Sequence, residues 1–209
     1  MKEQNTSTPR KTGRPLSFDR DVALENAMLT FWRYGYETTS ISELTAAMGI
    51  TAPSVYTAFG DKKRLFLEAM RLYAGSSEDL KRVLDEADTA YDAVHGMLMA
   101  AADAFTGKTT PPGCLLASAT ASGSKDSADV QAAVTAVRRD IMKIVCSRIK
   151  RDVQNGVLPT DTNTSALATF AIAVIQGMSV LARDGVGRRT LKVMIKTAMM
   201  AWPEQQRLQ

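Results

Sequence analysis

The residues of this chain best suited to chemistry lie between positions 39 and 62, and their side chains are hydroxyl-bearing, small or basic. Hydroxyl and ammonium groups donate hydrogen bonds to phosphate oxygens, and small hydroxyl and methyl groups contact base edges in a DNA major groove about 12 Å wide. This stretch therefore indicates nucleic-acid recognition. Its candidate contact residues are Thr39, Ser40, Thr51, Ala52, Ser54, Tyr56, Thr57 and Lys62.

Two short helices must position these side chains. Ser40-Ile41-Ser42-Glu43 is a capping box, in which the hydroxyl and the carboxylate each satisfy the other residue's backbone amide, and Gly49 ends that helix. Thr51 caps the next helix, which tolerates Pro53 in its first turn and ends at Gly60. Two helices of this length joined at a glycine are typical of a helix-turn-helix.

The second of these helices has an apolar inner face and an outer face made mostly of short side chains. Val55 and Phe59 are four residues apart and should pack inward on Leu44 and Ile50. Short side chains on the other face would let the helix backbone lie deep in the groove. The outward residues predicted to meet DNA are Thr51, Ala52, Ser54, Tyr56 and Thr57.

Phosphate contacts are expected on both flanks of this helix. Tyr56 offers a phenol, Lys62 adds positive charge, and the free amides that follow Asp61 open another helix, where anions are favoured. On the opposite flank, Thr39 and Ser40 could bond phosphates across the groove. The alternative for these two residues is helix capping alone, and for Ser40 we expect both roles.

No run of alternating β-branched residues reaches strand length, so the fold class is predicted to be all-α. The content of 45% apolar and 23% charged residues is that of a globular protein. Periodicity and glycine stops predict helices over 19–34, 40–49, 51–60, 61–75, 78–106, 114–122, 127–154, 162–184 and 188–202. A chain of 209 residues accommodates one small and one medium domain.

Much of the net charge of +4 lies in the first 17 residues, where four basic residues stand against one acidic residue. The sequence PRKTGRP resembles a minor-groove arm of the AT-hook type, in which Arg14 would enter a narrow A·T-rich groove. The alternative is a basic tail without that role. The tail lacks the apolar run of a signal peptide, and the chain has two cysteines, so we expect a cytoplasmic location.

Residues 13–70 resemble the DNA-binding domain of the TetR family of bacterial transcriptional regulators. The resemblance lies in the order GRP, FWRYGY, TTS, a glycine turn, SVYTAFGDK and LF. It implies a homodimer with an N-terminal three-helix helix-turn-helix domain, joined through a fourth helix to a C-terminal helical domain for ligand binding and dimerisation. It also implies a repressor more often than an activator. The corresponding division is a basic arm over 1–17, a DNA-binding domain over 18–64 and an effector and dimerisation domain over 65–209.

The stretch 166–182 is apolar on both sides of a helix, which requires cover on both sides. It is too short for a typical bilayer span and contains Gln176, so we expect a buried helix and no membrane partner. One side can face its own domain and the other a partner subunit; the alternative is burial within a monomer. The predicted dimer contacts are Phe170, Val174, Ile175, Met178, Leu181, Leu191, Ile195, Ala198 and Trp202.

An effector is expected among the C-terminal helices. Cys114 follows Pro-Pro-Gly at an apparent helix start, where free amides would make its thiol more reactive toward oxidants or electrophiles. The alternatives are a buried filler role for the cysteine and ordinary core packing for the rest. The residues predicted to line the site are Met97, Leu98, Phe105, Cys114, Leu116, Met142 and Cys146.

The sequence disfavours two other classes of function, an enzyme and a helical interaction protein. An enzyme is disfavoured because the chain has a single histidine, no metal-ligand cluster and no glycine-rich phosphate loop after a strand. We therefore expect no catalytic residues, no metal and no cofactor. A helical interaction protein that has lost DNA binding is disfavoured by the intact Thr51, Tyr56, Thr57 and Lys62.

Overall fold

The computed structural model of this protein describes residues 18–119 and 127–203. Within these ranges the secondary structure is helical, as the sequence predicts. The helices are α1 (Arg20–Tyr34), α2 (Ile41–Met48), α3 (Ala52–Phe59), α4 (Lys62–Ala74), α5 (Ser77–Glu86), α6 (Ala90–Phe105), α7 (Leu115–Ser118), α8 (Ala128–Gln154), α9 (Thr164–Arg183) and α10 (Arg188–Met199).

The first four helices agree with the sequence prediction to within two residues at each end. Helix α1 packs against both α2 and α4. At the centre the Phe31 ring meets the Phe66 ring edge-on at 5.1 Å between centroids. The Arg20 guanidinium lies 4.4 Å from the centroid of the Phe59 ring and 2.6 Å from a Glu68 carboxylate oxygen. These contacts join α3 and α4 to α1 as one unit.

The remaining helices form a larger bundle. Helix α8 packs against α5 and α9, and α6 packs against α9 and α10. The prediction of one helix over 78–106 is wrong, because the chain leaves the helix at Ala87, where the backbone is extended, and restarts with Thr89 as the cap of α6. Apolar spacing continues across this break and conceals it in the sequence. Of the predicted helix 114–122, the structure has α7 over Leu115–Ser118, and residues 120–122 lie outside the described residues.

A buried ion pair fixes the break between α5 and α6. Arg148 and Asp152 face each other from successive turns of α8, with side chains only 2% and 4% exposed. The Arg148 guanidinium also donates to the Leu84 carbonyl at 2.9 Å and to the Ala87 carbonyl at 3.0 Å. The Asp152 carboxylate accepts the Ala90 amide at 2.6 Å. The pair therefore satisfies polar groups on both sides of the break.

Helix α9 is covered on one side only. In its most apolar window of 18 residues, 28% of the residues are buried. Among the described residues it is the one helix long and apolar enough to cross a bilayer, a test that core helices of other proteins also pass. Its inner face packs on α6 and α8, while Phe170 and Val180 are 40% and 57% exposed. The expectation of a buried helix therefore holds for the inner face alone.

Candidate nucleic-acid interface and effector cavity

The start of α2 has the predicted capping box. The Ser40 hydroxyl oxygen accepts the Glu43 amide at 3.1 Å, and the Glu43 carboxylate accepts the Ser40 amide at 2.7 Å. The Ser40 hydroxyl also donates to the Glu43 carboxylate at 2.8 Å. The hydrogen bond from the Ser40 amide, and then the one from its hydroxyl, lower the pKa of the Glu43 carboxyl. Gly49 ends the helix in the left-handed region, with φ at +68°. The capping box thus fixes where α2 begins, and Gly49 makes the turn that leads to α3.

Helix α3 presents the predicted faces. Val55, Phe59 and Leu44 are buried together, and Ile50 packs against them. Thr51, Tyr56 and Thr57 are exposed, with Tyr56 at 52%, and Ala52 and Ser54 are half-buried. This burial pattern confirms the predicted orientation of the helix, while the DNA contacts themselves stay predictions.

The hydroxyls of Thr51, Ser54 and Thr57 have partners within the first turns of α3. The Thr51 and Ser54 hydroxyl oxygens lie 2.9 Å apart, and the Thr57 hydroxyl donates to the Pro53 carbonyl at 2.8 Å. A hydroxyl that donates one hydrogen bond can still accept others. Internal bonds of this kind hold the side chains close to the helix and keep its outer surface shallow.

The start of α4 is anchored inside the protein. Lys62 is half-buried, with its ammonium 4.5 Å from the Tyr36 ring centroid and 3.4 Å from the Glu37 carbonyl oxygen. Desolvation lowers the pKa of this ammonium. Lys63 forms an ion pair with Asp129 of α8. Lys62 thus retains donors for a phosphate but is also a fixed part of the domain.

The burial of Thr39 contradicts its predicted contact with a DNA phosphate. Thr39 is 1% exposed and its hydroxyl donates to the Gly35 carbonyl at 2.6 Å, so its side chain is used inside the domain and we do not carry it forward as a phosphate contact. The sequence could not separate it from its exposed neighbour Ser40, because both carry a hydroxyl at the same helix start. Arg14 lies outside the described residues.

A cavity of about 300 Å³ lies between α4, α6, α8 and α9. Of the predicted effector residues, three line it, namely Met97, Cys114 and Leu116. Sequence reasoning missed the polar groups in its wall, although Gln176 was visible as an interruption of an apolar stretch. The full lining is Tyr73, Ala74, Leu80, Met97, Ala101, Cys114, Leu116, Arg138, Ile141, Ile172, Ile175 and Gln176.

The other predicted effector residues lie elsewhere. Leu98 and Phe105 are buried in the core around the cavity rather than in its wall. The Cys146 thiol points to the Thr164 hydroxyl at 3.7 Å, and the Met142 sulfur accepts from Thr169 at 3.8 Å. Both side chains pack between α8 and α9 away from the cavity, because the helix rotation that decides this cannot be read from apolar spacing alone.

Part of the predicted dimer stripe is wrong, and the rest of it stays a prediction. Met178, Leu191 and Ile195 are fully buried within one protomer, and Ile175 lines the cavity. Trp202 packs edge-on against Tyr91, and Val174, Leu181 and Ala198 are half-buried. Met178, Leu191 and Ile195 therefore belong to the protomer's own core. Phe170, which was predicted, is exposed. The other exposed apolar positions are Ala166, Ala173, Gly177 and Val180 on α9, Val193 on α10 and Met200 just after α10.

Comparisons with known proteins agree over both parts of the chain. Residues 23–69 match the family model described as "Bacterial regulatory proteins, tetR family", and residues 90–185 match the model described as "Tetracyclin repressor-like, C-terminal domain". The HTH-type transcriptional repressor ComR of Escherichia coli (strain K12) is 33% identical, with 98% of this chain and 99% of ComR covered. The HTH-type transcriptional repressor BdcR of the same strain is 27% identical, with 92% and 91% covered.

A solved structure is similar over nearly the same length. It is a cysteine mutant of the TetR family transcriptional regulator CifR, complexed with 26bp double-strand operator DNA. The identity is 40%, the TM-score is 0.87, and the match covers 91% of this chain and 100% of that one. With its exposed helix-turn-helix and its helical C-terminal half, this chain belongs to the TetR family of bacterial transcriptional regulators and is a DNA-binding regulator rather than an enzyme.

Proposed function

We propose that this protein is a cytoplasmic repressor that binds a pseudopalindromic operator as a homodimer and is released by a small molecule or by a thiol-reactive signal. The observation that carries the proposal is the exposed face of α3, which has short side chains around the exposed Tyr56. The repressors ComR and BdcR and the operator complex of CifR support it. In this proposal residues 18–64 bind DNA and residues 65–209 dimerise and bind the effector.

The DNA contacts divide into two kinds. Thr51, Ala52, Ser54 and Thr57 are placed to meet base edges, where hydroxyls bond polar atoms and methyl groups contact thymine. The remaining contacts go to the backbone and set the register on the duplex without reading its sequence. The backbone contacts of the proposal are Ser40, Tyr56 and Lys62, with Arg14 in the minor groove.

The homodimer is inferred from the uncovered faces of α9 and α10. Phe170, Val180 and Val193 are exposed apolar side chains, and Ala173 and Gly177 between the first two are small enough to let a partner helix approach closely. Two helices from each of two protomers would form a four-helix interface about a two-fold axis. The two α3 helices would then meet successive major grooves about 34 Å apart.

The cavity supports the effector part of the proposal. Its wall is mainly apolar, with Arg138, Gln176 and the Tyr73 hydroxyl as the polar exceptions, which suits a compact apolar molecule with one polar end. Cys114 in the same wall is the candidate target of an oxidant or electrophile. Helix α4 reaches from this wall to Lys62 beside the DNA-binding helices, so its displacement would change the spacing of the two α3 helices.

A gel-shift titration tests the DNA-binding part. A duplex selected by the protein from a random library, and a scrambled duplex of equal composition, are compared between about 50 and 200 mM salt, a range over which phosphate contacts lose most of their affinity. We expect the selected duplex to keep a specific component after salt has weakened binding to the scrambled one. Equal affinities for both duplexes at every salt concentration would refute the proposal.

The thiol part has its own test with a matched control. The chain has two cysteines, so Cys114→Ser and Cys146→Ser each leave one. Mild peroxide should weaken DNA binding of the Cys146→Ser protein and leave the Cys114→Ser protein unaffected, with mass spectrometry reporting the modified residue. An identical response of both variants would exclude a sensing role for Cys114.

A further inference from the structure

The turn at Gly113 and Cys114 lies where the effector cavity meets the DNA-binding half of the protomer. Gly113 has φ at +78°, and a Cβ atom there would lie 2.7 Å from the Ser179 carbonyl oxygen. The Gly113 amide donates to the Phe105 carbonyl at 3.0 Å, and the Cys114 amide donates to the Ser179 hydroxyl at 2.8 Å. Because the turn is packed this tightly, a movement of Cys114 on the cavity side should also move Gly113.

Trp32 of α1 is joined to this turn directly. Its indole N–H donates to the Gly113 carbonyl at 2.9 Å in a buried hydrogen bond. The Arg183 guanidinium of α9 donates to the Trp32 backbone carbonyl at 2.8 Å. The last turn of α1 is therefore bonded to the C-terminal domain through both its side chain and its backbone.

Tyr73 of α4 completes the junction. Its ring meets the Trp32 ring edge-on, with centroids 4.8 Å apart and planes 77° apart. Its hydroxyl lies beside the Cys114 thiol, and burial first, then this neighbour, raises the pKa of the phenol far above its usual value. One aromatic side chain thus contacts both the cavity wall and the end of α1.

We propose that Trp32 is a positioning residue through which the cavity wall controls the DNA-binding helices: its indole follows the Gly113 carbonyl, and α1 carries the displacement to α2, on which α3 rests. This route acts beside α4 and is held to it by the contact between Trp32 and Tyr73. The inference rests on the proposed function, since it concerns how effector binding alters DNA affinity.

A substitution that enlarges one wall residue supplies a defined change in the cavity. Cys114→Met places a longer thioether beside the 300 Å³ space and needs no ligand or reagent. Trp32→Phe removes the indole N–H and keeps an aromatic ring against Tyr73. Trp202→Phe is the matched control, because the Trp202 N–H is buried without a hydrogen-bond partner among the described residues. Affinity for the selected duplex is measured for each variant with and without Cys114→Met.

We expect Cys114→Met to lower DNA affinity about tenfold in the unaltered and Trp202→Phe backgrounds, a typical coupling between sites. In the Trp32→Phe background, Cys114→Met should lower DNA affinity about twofold or less. A change of that size is within the deviation from additivity seen for independent sites. An equal loss in all three backgrounds, or no loss in any, overturns the inference alone. Absence of specific binding by the unaltered chain would refute the proposed function and this inference together.

A spectroscopic readout covers the case in which Trp32→Phe fails to fold. The chain has two tryptophans, so the Trp202→Phe protein reports emission from Trp32 only. Cys114→Met should shift the Trp32 emission maximum, because the indole hydrogen bond and its surroundings move with the turn. An unshifted spectrum beside a tenfold loss of affinity would show that the change reaches DNA by another route and would overturn the inference.

Discussion

The buried ion pair of α8 makes a sharp prediction for Asp152→Asn. The substitution keeps the side-chain volume and removes the negative charge, so that the Arg148 guanidinium, 2% exposed, is left without its counter-ion. Breaking one partner of a buried pair costs about 3–5 kcal/mol of the free energy of unfolding. Because whole domains have about 5–15 kcal/mol, we expect the variant to lose a large part of its stability.

A neighbouring pair provides the control. Arg151 and Asp85 approach to 2.9 Å, but their side chains are 40% and 32% exposed. Asp85 also pairs with the exposed Lys81 one turn earlier in α5. Water screens both pairs, so Asp85→Asn should cost about 0.2–1 kcal/mol for each. Both variants replace an aspartate with asparagine at a contact between α8 and α5 or α6. A difference in their cost therefore reports the effect of burial.

Urea unfolding at one fixed protomer concentration is the appropriate assay, since the proposed dimerisation would make apparent stability depend on concentration. For Asp152→Asn, the urea concentration at the unfolding midpoint should be well below that for Asp85→Asn, while the dependence of the unfolding free energy on urea stays similar. The double variant Arg148→Met, Asp152→Leu should recover much of the loss, because an apolar pair of similar volume carries no uncompensated charge. Equal midpoints for the two single variants would refute this account of the α5–α6 junction.

Three further predictions concern DNA and the dimer. Lys62→Gln should lower the slope of log affinity against log salt by about one unit, while Tyr56→Phe should weaken binding with the slope unchanged, as gel shifts at several salt concentrations will show. Deleting residues 1–12 together with Arg14→Ala should lower both the affinity and the slope; unchanged values would exclude a minor-groove role for the arm. Val180→Glu should place a charge in the proposed interface and convert the dimer to monomers in light scattering, and an unchanged mass would exclude this face.

The sequence predicted local structure well wherever polar caps and glycines act over a few residues. The capping box at Ser40, the turn at Gly49 and the inward packing of Val55 all appear as expected. It failed where neighbouring elements decide the outcome. Apolar spacing runs unbroken across Ala87, and the polar groups that stabilise the break come from α8, more than 50 residues away in the chain.

The same limit applies to the faces of α9. Both sides of the helix are apolar, and hydrophobicity alone favours Met178 and Ile175 as partner contacts. In the fold these residues are taken by the protomer's own core and by the cavity, because α6 and α8 already cover that side. The smaller side chains at Ala173 and Gly177 remain outside.

The lack of space at Gly113 has a consequence for how such a protein can acquire new specificities. Any side chain there would collide with the backbone of α9, so the turn cannot be varied without moving a helix. Met97, Ile141 and Ile172 line the same cavity from three different helices. If the cavity binds the effector as proposed, a laboratory library that randomises these three positions and leaves the glycine intact should change which molecule binds while keeping the turn in place.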